Sequence, residues 1–181
     1  YGSMNPKEYY HFREDKIEPI PEQWLYYGPI LMATKRLECG SQASLYSPGN
    51  NWNYGLIRII AAENVRIIGE EGSGINGQNC YDENGEEGYR GPHGITFFNC
   101  RNIEFKGYTI QNTGNWAHNL LFCTNISVEK ITVLAGHDGF DAAVCTNLSI
   151  TDSEFYTGDD CVAGFGNVNT SVRSCVLNSS C

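Results

Sequence analysis

The chain has 181 residues, and 41% of them are hydrophobic, which is enough to bury one sizeable core. It carries 12 basic and 21 acidic side chains, and the net charge of −9 argues against binding to nucleic acid, which needs a cationic surface. No hydrophobic run is long enough to cross a membrane, and the first residues show no export signal. We therefore predict a single domain over residues 1–181 with neither a nucleic acid nor a membrane as partner. Its oligomeric state is left open.

The first part of the chain predicts irregular structure. Residues 1–35 contain a segment rich in charged and aromatic side chains, which Pro19 and Pro21 interrupt. From Ile30 to Gly55, short apolar stretches alternate with Gly, Ser and Asn. We expect an irregular N-terminal segment over residues 1–35 and β-structured coils over residues 36–181.

The remainder contains a repeat in which an Asn is followed by a short alternation of apolar and polar residues. The asparagines of the five copies are Asn64, Asn102, Asn125, Asn147 and Asn169. The last four are 23, 22 and 22 residues apart, whereas the first two are 38 apart, one period plus an insertion of 16. A fixed period of this length without a helical pattern is typical of stacked coils of β-sheet. The insertion is polar and rich in Gly, so we predict a surface loop at about residues 74–92.

Apolar residues in each copy recur with the period of a β-strand. One and three residues after the Asn, the pairs are Ile103 and Phe105, Ile126 and Val128, and Leu148 and Ile150. Such alternation predicts strands with one buried face, and strands in a repeat of 22–23 residues predict an all-β parallel β-helix, a solenoid. Because the chain ends inside a repeat without a polar cap, we expect the solenoid to continue past Cys181 and to be incomplete here.

Two further columns of the repeat have a structural interpretation. Cys100, Cys123 and Cys145 each lie two residues before a repeat Asn, and neighbouring parallel strands would hold them about 4.8 Å apart in a poor geometry for disulfides. We predict buried free thiols, which weakly favours a reducing compartment but leaves the localisation open. No Cys-x-x-Cys pair is present, which argues against zinc. We predict that the repeat asparagines hydrogen-bond to one another along the solenoid, although three of them lie in glycosylation sequons.

Acidic residues align in adjacent coils near the C-terminus. Asp138 and Asp160 each follow a repeat Asn by thirteen residues, and Asp159 lies at the preceding position, where the earlier coil has His137. We therefore expect three carboxylates and one histidine to converge on one wall. Like charges this close raise the pKa of at least one acid, and such acids are candidates for acid–base catalysis. Turn formation is the alternative explanation for Gly-Asp-Asp, but turns do not require stacked acids.

The preceding coil contributes further polar and aromatic residues to the same wall. Asn115, Trp116 and His118 are predicted to bind substrate there, and the Trp116 ring suits stacking against a sugar. The alternatives are structural, since His118 and His137 are residue types that often only form hydrogen bonds at the surface. The role of Asp141 is likewise left open: it is either an acid that belongs to the cluster or a turn residue that caps its strand.

Four segments occur in a distinctive order. They are Arg90-Gly-Pro-His-Gly-Ile-Thr-Phe-Phe-Asn-Cys-Arg-Asn-Ile-Glu-Phe, Asn112-Thr-Gly-Asn-Trp-Ala-His, His137-Asp-Gly-Phe-Asp and Thr157-Gly-Asp-Asp-Cys-Val-Ala. This order resembles glycoside hydrolase family 28, which includes polygalacturonases and rhamnogalacturonan hydrolases. The family has an Asn-Thr-Asp-Gly-x-Asp element and an Asp-Asp pair 21 residues later, and Asp138 and Asp159 are 21 residues apart. The resemblance covers residues 60–181 and implies a right-handed parallel β-helix.

The resemblance also implies a chemistry and a substrate class. Asp159 would be the general acid, and Asp138 and Asp160 would activate a water molecule, so that a pectin-type polysaccharide is hydrolysed with inversion and without a metal or other cofactor. An inverting mechanism places its two carboxyl groups roughly 6.5–9.5 Å apart, which leaves room for water. Gly136-His137 replaces the Asn-Thr of the family pattern, so the particular glycan is left open.

Two alternatives from other functional classes remain. A polysaccharide lyase or epimerase on the same fold would bind Ca²⁺ through the acids and use Lys or Arg as base, but no basic residue shares a coil position with them. The nearest in sequence, Lys130 and Arg173, are predicted on strands. A non-catalytic glycan-binding β-helix would not need clustered acids. The sequence thus favours the hydrolase.

Overall fold

The computed structural model describes residues 55–83 and 86–181, and almost all of its regular structure is β-strand. Sheet A contains β1 (Gly55–Ile60), β4 (His93–Phe98), β7 (His118–Leu121), β10 (Phe140–Ala143) and β13 (Val162–Phe165). Sheet B contains β2 (Glu63–Ile68), β5 (Arg101–Lys106), β8 (Thr124–Glu129), β11 (Thr146–Thr151) and β14 (Val168–Arg173). Sheet C contains β3 (Gly74–Asn76), β6 (Thr109–Gln111), β9 (Thr132–Ala135), β12 (Glu154–Thr157) and β15 (Val176–Ser179).

The chain passes through sheets A, B and C in turn and then begins the next coil. Each strand pairs in parallel with the strand at the same place in the following coil. In sheet B, Arg101 lies opposite Thr124, and Thr124 lies opposite Thr146, so the spatial period equals the sequence period. The predicted parallel β-helix with coils of 22–23 residues is thereby confirmed, and its right-handed winding stays a prediction. The irregular segment predicted over residues 1–35 lies outside the described residues.

The predicted interior columns are also confirmed. Ile103, Ile126 and Leu148 form one buried column, and Phe105, Val128 and Ile150 form another. Sheet A completes the core from the opposite side, with Phe97 packed edge-on against Phe105 at a ring-centroid distance of 5.2 Å. The core therefore runs along the axis, and functional side chains must lie on the outer faces and at the corners between sheets. Within the described residues no helix is long and apolar enough to cross a membrane.

The repeat asparagines form the predicted ladder. Each side-chain amide donates a hydrogen bond to the side-chain oxygen of the Asn one coil earlier, at 2.9–3.0 Å, through all five copies. Each Asn also has a positive φ, between 52° and 59°, at the corner that leads into sheet B. Asn tolerates this left-handed conformation, and its side chain both donates and accepts, which explains its recurrence at this position.

The three repeat cysteines are buried free thiols, as predicted. The backbone amide of Cys123 donates to Sγ of Cys145 at 3.4 Å, and the amide of Cys145 donates to Oδ1 of Asn167 at 2.8 Å. A side-chain acceptor in each coil thus satisfies a buried amide in the coil before it, which a purely apolar residue could not do.

The insertion predicted at about residues 74–92 follows a short strand in the structure. Gly74–Asn76 forms β3 and pairs with β6, and Ile75 packs against the core. The inserted segment is therefore residues 77–92, which we call the inserted loop. Its end is tightly packed, since the amide of Gly91 donates to the carbonyl of Gly114 at 2.9 Å, and a Cβ on Gly91 would lie 1.7 Å from the carbonyl oxygen of Cys80. Only glycine fits at this crossing.

Candidate active site

The coils bring the three predicted acids together just before sheet A. One side-chain oxygen from each of Asp138, Asp159 and Asp160 lies within 4.8 Å of the other two. The amide of Gly139 donates to the carbonyl of Asp160 at 2.8 Å, and the amide of Asp160 donates to Oδ1 of Asp138 at 3.2 Å. The ladder between coils thus fixes the relative position of the acids. Asp138 is 8% exposed, whereas Asp159 and Asp160 are exposed.

A cleft of about 380 Å³ lies over the outer face of sheet A beside these acids. Its lining consists of Trp116, Asn119, Asp138, Asp141, Ala142, Ala143, Asp160, Ala163, Gly164 and Phe165. Carboxyl groups and an aromatic ring on one concave wall can bind a sugar and transfer protons to it. A larger groove of about 520 Å³ follows the asparagine ladder on sheet B, but its charged side chains, Arg66 and Glu104, form an ion pair of 2.6 Å. The chemistry therefore points to the cleft on sheet A.

The environment of Asp138 raises its pKa to about 6. Burial is the largest cause, followed by the charge of Asp159, while the hydrogen bond from the Asp160 amide acts in the opposite direction. The predicted rise in the pKa of at least one acid is confirmed. Its main cause differs from the prediction, because Asp138 is buried in the wall of the cleft and loses more hydration than sequence spacing indicates.

Asp141 adds a fourth carboxyl group to the wall. It is buried on β10, and burial followed by the charge of Asp138 raises its pKa well above the usual value. Oδ2 of Asp141 makes no hydrogen bond. Asp141 is therefore an acid of the cleft wall whose neutral form is favoured by burial, rather than only a cap on its strand.

Two of the residues predicted to bind substrate lie in the interior instead. His118 is 0% exposed, and its Nδ1 lies 3.0 Å from the carbonyl oxygen of Gly139, so this nitrogen donates. Its Nε2 then accepts from the Tyr108 hydroxyl at 2.8 Å, and burial lowers the pKa of His118 to about 4. Asn115 is also fully buried, and its Oδ1 accepts from the Trp116 amide at 3.0 Å. Neither side chain reaches a substrate, and both hold the wall in place.

Trp116 and His137, which are also predicted to bind substrate, lie nearer to the surface than His118 and Asn115. Trp116 is largely buried, lines the cleft and lies 5.0 Å from the ring of His93. His137 is half-buried, and its ring lies 5.6 Å from that of Tyr89 in the inserted loop. Burial lowers the pKa of His137, the charge of Arg90 lowers it further, and the charge of Asp159 opposes both.

Sequence reasoning missed Arg90, which reaches the site from the inserted loop. Its guanidinium bonds both carboxylate oxygens of Glu87, at 3.1 and 3.2 Å, and donates to Oδ1 of Asn115 at 3.3 Å. Its charge lowers the pKa of Asp141 and of His137. The search by coil position could not find a residue outside the repeat. The available signal was that Arg90 lies near the end of the inserted loop, shortly before the chain re-enters sheet A at His93.

Comparison with known proteins identifies the family of this chain. A family model described as Glycosyl hydrolases family 28 matches residues 32–178. A probable polygalacturonase from Vitis vinifera is 31% identical over 110 residues, which are 58% of this chain and 22% of that protein. A probable endopolygalacturonase C from Aspergillus niger is 28% identical over 125 residues, 62% of this chain and 32% of that protein. The chain thus spans less than a third of these relatives' length. Since the family model covers most of its residues, the chain belongs to glycosyl hydrolase family 28.

Proposed function

We propose that this chain carries the catalytic acids of a hydrolase that cleaves the glycosidic bonds of a pectin-type polysaccharide with inversion. The observation that carries the proposal is the convergence of Asp138, Asp159 and Asp160, whose oxygens lie within 4.8 Å of one another beside a cleft. Membership of glycosyl hydrolase family 28 supports hydrolysis, and the relatives named polygalacturonases support a pectin-type substrate.

The proposed roles are those that the family resemblance implies, and the exposure and position of the acids are compatible with them. Asp159 is exposed, so it can reach the glycosidic oxygen of a polymer and donate a proton to it as the bond to the anomeric carbon breaks. Asp138 and Asp160 line the cleft and orient a water molecule, which attacks the anomeric carbon and gives its proton to one of them. Because the pKa of Asp138 is about 6, this carboxyl group is ionised near neutral pH and can then accept the proton of the attacking water.

The spacing of the acids constrains where the water lies. Nearest oxygens within 4.8 Å are closer than the roughly 6.5–9.5 Å of typical inverting pairs, so the sugar and the water cannot both lie between the acids. We place it in the cleft, beside Asp138 and Asp160. Proton NMR of the first product tests this step, since an inverted anomeric configuration is expected and a retained one would contradict it.

Substitution of the acids tests the proposal as a whole. In the full-length protein we expect release of reducing ends from polygalacturonate or a related pectic glycan, and a loss of roughly 10²–10⁴-fold in kcat for Asp159→Asn. Asp152→Asn is the matched control, since Asp152 is an exposed carboxylate in the same coil whose positive φ of 49° suits Asn. If Asp159→Asn and Asp138→Asn both keep the turnover of the unchanged protein, the acids are not catalytic and the proposal fails.

The same cluster supports one competing function. Three acids within 4.8 Å can supply oxygen ligands to Ca²⁺, as a polysaccharide lyase would require. A lyase also needs a base, and the guanidinium of Arg90, the nearby cation, is bound to Glu87 and Asn115. The products separate the two functions, because a lyase forms an unsaturated sugar that absorbs ultraviolet light, whereas a hydrolase forms none.

A further inference from the structure

We propose that the inserted loop builds a sugar-binding subsite at the edge of the acid cluster, with Tyr89 as its platform and Tyr81 and His137 beside it. The ligand class is one pyranose unit of the polysaccharide, and the inference rests on the proposed function. The 16 residues of this insertion interrupt the repeat, and the catalytic roles proposed above use none of them.

The geometry places an exposed aromatic surface next to the acids. Tyr89 and Tyr81 are 44% and 52% exposed, and their ring centroids are 6.4 Å apart. The Tyr89 ring lies 5.6 Å from His137, at an interplanar angle of 37°. His137 directly precedes Asp138 in the chain and is close enough to Asp159 to interact with its charge. The three rings therefore lead from the inserted loop to the catalytic carboxylates.

Backbone contacts and charge hold this surface in place. The amide of Asp82 donates to the carbonyl of Tyr89 at 3.0 Å, which closes the loop on itself. Arg90 donates two hydrogen bonds to the carboxylate of Glu87, and a third hydrogen bond from Arg90 to Asn115 links the loop to the wall of the cleft. Because these contacts already position Tyr89 and Arg90, less conformational entropy is lost when a sugar binds.

The chemistry of these side chains suits a sugar ring. A pyranose has an apolar face of C–H bonds that packs on an aromatic ring, while its hydroxyl groups need polar partners at the edges. The half-buried imidazole of His137 supplies such a partner between Tyr89 and the acids. Folding gains little from leaving two neighbouring tyrosines exposed on a fixed loop, which is the arrangement expected of a binding surface.

The test compares KM and kcat on a pectic oligosaccharide for two substitutions of Tyr89. Tyr89→Ala is expected to raise KM about fivefold, with kcat changed less than about twofold, because the ring contributes binding rather than chemistry. Tyr89→Phe keeps the ring and should retain the KM of the unchanged protein. Tyr156→Ala is the matched control, since Tyr156 is 39% exposed near Asp159 in sequence, and both hydroxyls bond a Glu two residues earlier.

The KM values of these variants decide whether the sugar subsite exists. An unchanged KM for Tyr89→Ala in an active protein would overturn the subsite and leave the catalytic acids standing. An equal rise in KM for Tyr156→Ala would also overturn it, because the effect would then not be specific to Tyr89. An equal rise in KM for Tyr89→Phe would overturn it as well, because the aromatic ring is still present in that variant. If the unchanged protein cleaves no glycan, the proposed function fails and the subsite fails with it.

Discussion

Replacing Asp138 by Asn should stabilise the folded protein at neutral pH and leave its stability unchanged at low pH. Asp138 holds its proton up to about pH 6 in the folded protein, compared with an ordinary pKa of 3.8. Between these two values the folded protein binds more protons than the unfolded chain, so the free energy of unfolding falls as the pH rises through this window. The unchanged protein is therefore penalised at pH values above about 6, where the buried carboxylate is charged.

The size of the penalty follows from the pKa. A rise from 3.8 to about 6 corresponds to about 3 kcal/mol at high pH. Solvent in the open cleft screens part of this, which leaves about 1–2 kcal/mol. An Asn at this position carries no charge and still accepts the hydrogen bond from the Asp160 amide through its Oδ1. The substitution thus removes the cost of burying the charge and keeps the contact.

Thermal unfolding followed by circular dichroism at about pH 4 and at about pH 7.5 measures the effect. We expect Asp138→Asn to raise Tm by about 2–8 °C at the higher pH and to leave it nearly unchanged at the lower one. Asp152→Asn should show no such dependence, because Asp152 is exposed and its charge is already hydrated. A lower Tm for Asp138→Asn at about pH 7.5, or equal shifts at both pH values, would refute the argument from burial.

Three further predictions concern other parts of the structure. Cys100, Cys123 and Cys145 should all be alkylated in the denatured, unreduced protein, as measured by mass spectrometry, and a missing label on any of them would contradict the free-thiol ladder. Asn125→Ala should lower the free energy of unfolding by about 1–2 kcal/mol in urea, because it breaks two ladder hydrogen bonds and strains a positive φ, while Asn125→Gly should cost less since it relieves the strain. Treatment with EDTA should leave hydrolysis unchanged, and restoration of lost activity by Ca²⁺ would favour the lyase.

The solenoid could be predicted because its constraint is periodic. Alternation marks which side chain points inwards, and a spacing of 22 or 23 residues marks which ones stack, so Ile103, Ile126 and Leu148 could be assigned to one column without coordinates. The same spacing predicted that Asp138 and Asp160 lie close together, since both occupy the same position in successive coils. Where the chain obeys the repeat, sequence distance translates directly into spatial distance.

The errors arise where the position of a residue along a coil does not determine which way its side chain points or how deeply it is buried. His118 shares a coil with Trp116, but it begins β7 and points into the core, whereas Trp116 lines the cleft. Sheet A was hard to predict because its outer face is apolar as well, with Leu121 and Ala143 in a second cluster, so its strands lack alternation. Arg90 and Tyr89 belong to the inserted loop, whose path no repeat describes.

The separation of the inserted loop from the stacked strands has a consequence for how this architecture can change. Strands β3 and β4 keep their pairings on either side of the loop, so its length and composition can vary without altering any column of the core. The proposed catalytic carboxylates are fixed by the strand ladder, whereas the residues of the proposed sugar subsite lie mostly on the inserted loop. Exchanging the inserted loop between homologues offers a direct way to change which glycan such an enzyme binds, provided that Gly91 is kept where the backbone passes close to Cys80.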